Sequence, residues 1–147
     1  MPWGKFYSYL LVCLQFILIC FIIIYSFFRN IGFVQIALII LGAILGLWAI
    51  AVMRKSKIRA TPNVAMGAKL IKNGPYKYIR HPMYASVLTA CLGFLLTNIY
   101  SMTILFYVLL IIVLNIKIAY EESLLVKTFP KYKSYTKKTK KLIPFVY

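Results

Sequence analysis

A chain of 147 residues has room for one domain, here 1–147. It is 63% hydrophobic, with a mean hydropathy of +0.84, which is more apolar surface than a soluble fold of this size can bury. Its net charge is +16, yet the charges avoid the long apolar runs, so lipid is the partner of those runs and a soluble enzyme is excluded.

The first apolar run, residues 7–28, reaches roughly 33 Å as a helix, enough for the hydrocarbon core, and Gln15 is its only strongly polar member. A second full run follows at once and no small-residue cleavage site closes the first, so it reads as a span and not as a signal peptide. Arg29 and Asn30 make the break. The second run, 31–53, contains Gly42 and Gly46, whose spacing puts both on one face where another helix can approach closely. From 54 to 82 the chain turns basic, with eight Lys and Arg, three prolines and the turn Asn73-Gly74-Pro75. A loop of this length is uncommon unless it has work to do. Residues 83–117 are apolar again and would reach about 52 Å as one helix, too long for a bilayer. Thr97 and Asn98 offer a turn, which predicts a hairpin of a short arm, 83–97, and a full one, 99–119, running on through Glu121 and Glu122. The tail, 120–147, is basic and aromatic, with room for a short interfacial helix.

The expected fold is therefore all-α and polytopic, with four transmembrane helices. Seventeen of the eighteen Lys and Arg fall on the side shared by both termini, the long loop and the tail, and only Arg29 falls opposite. The positive-inside rule then puts both termini in the cytosol. Topology and attraction to anionic lipid heads account for the cations, which removes the case for nucleic acid.

Chemistry belongs where polar groups crowd the cytosolic face. One such segment is 70–84, ending in Arg80-His81-Pro82-Met83-Tyr84. Pro82 suits a first helical turn, and the amides after it make a seat for a carboxylate. An ordinary amphipathic loop with an interfacial histidine explains the same residues. The second segment is 117–122. Lys117 and Glu121 share a helix face, and two acids at a helix C-terminus oppose its dipole. Spending the only two carboxylates there argues for a ligand; a simple ion pair is the alternative. One histidine and three cysteines (Cys13, Cys20, Cys91) in apolar runs give no metal-ligand cluster, so no metal is expected.

The pattern LxxxGPYxYxRHPxY, then a hairpin, then Glu121-Glu122-Ser123-Leu124-Leu125, Phe129, Tyr132, Tyr135 and Leu142-Ile143-Pro144, resembles the isoprenylcysteine carboxyl methyltransferase family over about 68–144. The resemblance implies an enzyme dependent on S-adenosylmethionine, with S-adenosylhomocysteine as product and an active site facing the cytosol, built from the loop and the tail. By position it implies cofactor contacts from Ala68, Lys69, Leu70, Ile71, Tyr76, His81, Pro82, Met83, Tyr84 and Glu121. It implies catalytic roles for Glu121 and Lys117, with Lys117 also on the substrate. Two positions depart from the family: its histidine falls on Ala68 and its substrate-side arginine on Lys117, a point charge in place of a bidentate fork. The acceptor that the resemblance implies is a lipophilic small molecule or lipidated substrate, with a carboxylate, thiol or amine all open as the methylated group. An NADPH-dependent membrane sterol or enone reductase shares an RHPxY segment but adds an acid soon after the tyrosine, where this chain has Ala85-Ser86-Val87. A non-catalytic lipid-binding scaffold is the other alternative, and the retained Glu121 counts against it.

Overall fold

The computed structural model of the protein describes residues 2–27, 29–54, 70–144 and 146–147. Among them are five α-helices and one 3-10 turn: α1 (Pro2–Ser26), α2 (Phe33–Arg54), the turn Gly74–Lys77, α3 (Pro82–Thr97), α4 (Ser101–Thr128) and α5 (Tyr132–Thr136). The described residues contain no strand beyond an isolated parallel bridge between Ile79 and Lys140. Three helices, α1, α2 and α4, are long and apolar enough to cross a membrane. At 16 residues α3 reaches only about 24 Å, short of a hydrocarbon core of about 30 Å.

Helix ends depart from the sequence expectation by a few residues, and in one case by more. α1 stops at Ser26, not 28; there the Ser26 hydroxyl lies 2.8 Å from the carbonyls of both Ile22 and Phe94, sharing its one hydrogen between them and tying α1 to α3. α2 starts at Phe33, not 31, because Gly32 acts as its cap, its carbonyl accepting the Ile36 N–H. α3 takes in Pro82. α4 begins at Ser101 because residues 98–100 are consumed by the turn, where the Asn98 amide donates to the Tyr25 carbonyl. The larger correction is at its other end: α4 continues to Thr128 in place of 119, since Leu124 and Leu125 still have a cavity to line. Both glutamates sit inside the helix, as the sequence reading expected, and the helix goes on for six residues beyond Glu122.

One stripe of α1, namely Leu11, Leu18 and Ile22, meets Cys91 of α3 and Leu110, Val113 and Leu114 of α4 to form the buried core. α2 packs chiefly on α3. A Cβ on Gly42 would lie 2.7 Å from the Ser86 carbonyl and the Ala90 amide, and one on Gly93 would lie 2.8 Å from the Gln35 carbonyl. The two backbones therefore approach closely only because these positions lack a side chain. α3 is sheltered on most of its surface, whereas α1, α2 and α4 present exposed Phe, Leu and Ile outward, as lipid-facing helices do.

The two ends of the bundle differ. At one end Arg29 reaches the Tyr100 hydroxyl at 3.2 Å, and Gln35 donates to the Leu96 carbonyl at 3.3 Å. The other end collects the start of α1, the end of α2, the start of α3 and the end of α4. There Gly74 holds φ +60°, and a Cβ on it would lie 2.8 Å from Val52, so this turn under α2 requires glycine.

Candidate functional site

A cavity of about 440 Å³ opens at that second end, between α1, the start of α3, the end of α4 and the tail. Its position follows from how the chain returns to it. Tyr76 and His81 leave the 3-10 turn and enter α3 through Pro82, and the tail then pairs with this segment. Arg80 N–H donates to the Lys140 carbonyl at 2.8 Å and His81 N–H to the Lys141 carbonyl at 3.0 Å. Leu142 closes the back of the joint by packing with Ile79, Ala85 and Ile118.

Every described residue expected at the site lines this cavity: Leu70, Ile71, Tyr76, His81, Pro82, Met83, Tyr84, Lys117 and Glu121. Ala68 and Lys69 lie outside the described residues. Tyr84 is the hinge of the arrangement. Its hydroxyl donates to Glu121 Oε1 at 2.5 Å. Its ring stacks on His81 with centroids 5.7 Å apart, and Lys117 Nζ lies 4.9 Å from its centroid.

The two glutamates divide their work. Glu121 faces the cavity. Glu122 is absent from its lining and accepts from Arg80 Nε at 2.6 Å, faces His81 Nε2 at 3.2 Å and lies 3.5 Å from the Tyr132 hydroxyl. Arg80 also donates to the carbonyls of Thr136 and Thr139. The arginine therefore fastens α4 and the tail to the start of α3. His81 has a carboxylate at each ring nitrogen, with Glu121 Oε2 3.9 Å from Nδ1.

Lys117 and Glu121 share a face but form no ion pair within 4 Å among the described residues. Lys117 Nζ instead donates to Gln15 Oε1 at 3.1 Å, across to α1. Burial pushes the Tyr76 hydroxyl up to about 12, with Tyr135 and Glu121 adding to the shift. Burial also takes Tyr135 up to about 12 and raises Tyr132, which lies beside Glu122. All three stay protonated at neutral pH, and Tyr132 and Tyr135 act as donors. Tyr135 donates to the Tyr76 carbonyl at 2.5 Å. The Tyr76 hydroxyl is buried and has no partner among the described residues, an open donor in the cavity wall.

Among the lining residues not expected at the pocket are Gln15, Arg80, Tyr132 and Tyr135, the last three quoted in the motifs without a role there. Gln15 carried the clearest signal: it is the lone amide of an apolar helix, in register with Leu11, Leu18 and Ile22.

No metal-binding group of three or more His, Cys, Asp or Glu occurs among the described residues. No curated protein matches the chain. The family model for phospholipid methyltransferases matches residues 31–132, which takes in α2, α3, α4 and the polar end that carries the cavity. With most of its length inside that match, and the matched part arranged as apolar helices whose ends meet at the cavity, the chain belongs to the phospholipid methyltransferase family of membrane methyltransferases, which is related to the isoprenylcysteine carboxyl methyltransferases.

Proposed function

We propose that this protein is an S-adenosylmethionine-dependent methyltransferase, folded as one domain, that crosses the membrane four times with both termini in the cytosol. It methylates a lipophilic or amphipathic acceptor at the cytosolic face. The observation that carries this reading is the cavity lined by Tyr76, His81, Tyr84 and Glu121 in a chain of a methyltransferase family. A volume of about 440 Å³ falls in the range of small-molecule sites. The polar groups suit the cofactor: a carboxylate that accepts from a ribose hydroxyl or faces a cation, a Tyr76 hydroxyl unpaired among the described residues, and tyrosine faces that attract a sulfonium.

S-Adenosylmethionine, when bound, supplies a methyl group that its sulfonium has already activated. The residues of this chain then have three tasks. Glu121 complements positive charge and is kept aimed by the Tyr84 hydroxyl. Leu70, Ile71, Met83 and Pro82 offer apolar surface to the cofactor, with Ala68 and Lys69 as further contacts. Phe16, Leu124 and Leu125 exclude water from the reacting groups. Alignment supplies most of what such a transfer needs. A carboxylate acceptor arrives ionised; an amine or thiol gives up a proton, for which Glu121 and His81 are the candidate bases. Lys117 stands on the acceptor side.

S-Adenosylhomocysteine is expected to raise the melting temperature of the detergent-purified protein, and NADPH to leave it unchanged. Stabilisation by NADPH alone would move the assignment to a reductase.

The four-span topology draws support from the charge asymmetry and from the contact of Arg29 with Tyr100, which puts the two turns at one end. Asn98 is buried, so the exposed neighbour Ile99 is the better probe. In a cysteine-free background, Ile99→Cys is expected to react with an impermeant maleimide from outside, and Lys138→Cys only after permeabilisation. Reaction at 99 from the cytosol would overturn the topology.

A further inference from the structure

Lysine has donors and no acceptor, so the amide of Gln15 must turn its oxygen toward Lys117. Its NH₂ group is thereby committed to another direction. Among the described residues that group has no acceptor, although Gln15 lines the cavity and is only 7% exposed. Lys117, 8% exposed, spends one hydrogen bond on Gln15 and rests near the Tyr84 ring, with N–H groups to spare. Two donors on buried side chains, one of them cationic, thus stand side by side on a wall that includes Val12, Phe16 and Leu124. Polar groups at this depth are costly unless a partner is provided.

We propose that Gln15 and Lys117 together form a two-donor seat for the oxyanion head, carboxylate or phosphate, of an amphipathic acceptor whose chain lies along the apolar wall. This rests on the methyltransferase reading and names the class of substrate for that same cavity. A lysine alone is a point charge and fixes no orientation; the amide beside it supplies the second donor, so the pair does what one guanidinium fork does elsewhere. Gln15 is a substrate-binding residue under this assignment, not a packing residue of α1.

The test uses the full chain in a neutral maltoside detergent, with dodecanoate, dodecyl phosphate, dodecanol and inorganic phosphate as probes and S-adenosylhomocysteine as the control ligand. Dodecanoate or dodecyl phosphate is expected to bind at least about tenfold more tightly than dodecanol, the tighter of the two identifying the head group. Gln15→Leu and Lys117→Gln are each expected to remove most of that preference. Gln15→Glu is the sharper variant, because it keeps an acceptor for Lys117 but replaces the amide donor with an anionic oxygen. It is expected to lose anion binding by about tenfold or more while S-adenosylhomocysteine affinity stays within twofold. Wild-type anion binding in Gln15→Glu would show that Gln15 only holds Lys117 in place, and would overturn the proposal. So would equal binding of dodecanol, and competition by inorganic phosphate as strong as that of dodecyl phosphate would overturn the assignment to a lipid. Normal S-adenosylhomocysteine binding with no anion preference refutes the seat and leaves the methyltransferase reading standing; absent binding of S-adenosylhomocysteine to the unmodified chain refutes that reading instead.

Discussion

Glu121→Gln is expected to weaken S-adenosylhomocysteine binding at least about tenfold while leaving the protein folded. The carboxylate sits in the cavity wall, with Oε1 taken by the Tyr84 hydroxyl at 2.5 Å and Oε2 3.9 Å from His81. A glutamine keeps the shape and one acceptor for Tyr84, so the joint between α3 and α4 survives. The lost quantity is charge. A hydrogen bond to a charged group contributes about 1.5–3 kcal/mol, or roughly one to two decades of affinity. Calorimetry against S-adenosylhomocysteine measures this directly. Affinity within twofold of wild type, in a variant of unchanged melting temperature, would mean that the ligand site lies elsewhere.

Its neighbour is expected to behave in the opposite way. Glu122→Ala should lower the melting temperature sharply, because it strips the carboxylate from Arg80, which is 9% exposed, and from His81, which is 7% exposed. Removing one partner of a buried ion pair costs about 3–5 kcal/mol, since the other charge remains in place. Glu122 keeps 19% exposure, which puts the expected loss near the lower end, about 3 kcal/mol. Arg80 also holds the carbonyls of Thr136 and Thr139, so the tail is expected to loosen and become an early site of proteolysis. Glu122 lies outside the cavity lining. At a temperature where the variant is folded, its S-adenosylhomocysteine affinity should fall less than that of Glu121→Gln. A melting temperature equal to wild type would mean that the Arg80–Glu122 pair is solvated and holds nothing.

Adjacent acids with opposite assignments show what sequence spacing can carry. Residues 121 and 122 point about 100° apart on a helix, so one facing a ligand implies that the other faces something else. The i,i+4 relation of Lys117 to Glu121 fixed their common face as well. Neither relation names the partner across the gap. The partner of Glu122 proved to be an arginine 42 positions earlier, and that of Lys117 a glutamine 102 positions earlier.

Hydropathy and charge by themselves determined the helical class, the hairpin near Thr97 and the position of the polar end, because burying backbone in lipid leaves a helix few alternatives. The resemblance carried by the ordered motif from Leu70 to Pro144 nominated Tyr76, His81, Tyr84, Lys117 and Glu121, because a motif's local spacing survives any arrangement of the helices. Only the tertiary structure decided which stripe of α1 faces inward and hence that Gln15 meets Lys117. It alone extended α4 to Thr128 and folded residues 140–142 back against residues 79–81. Those outcomes come from packing and hydrogen bonding between segments remote in sequence, where an apolar run looks the same from every side until a neighbour covers one of them.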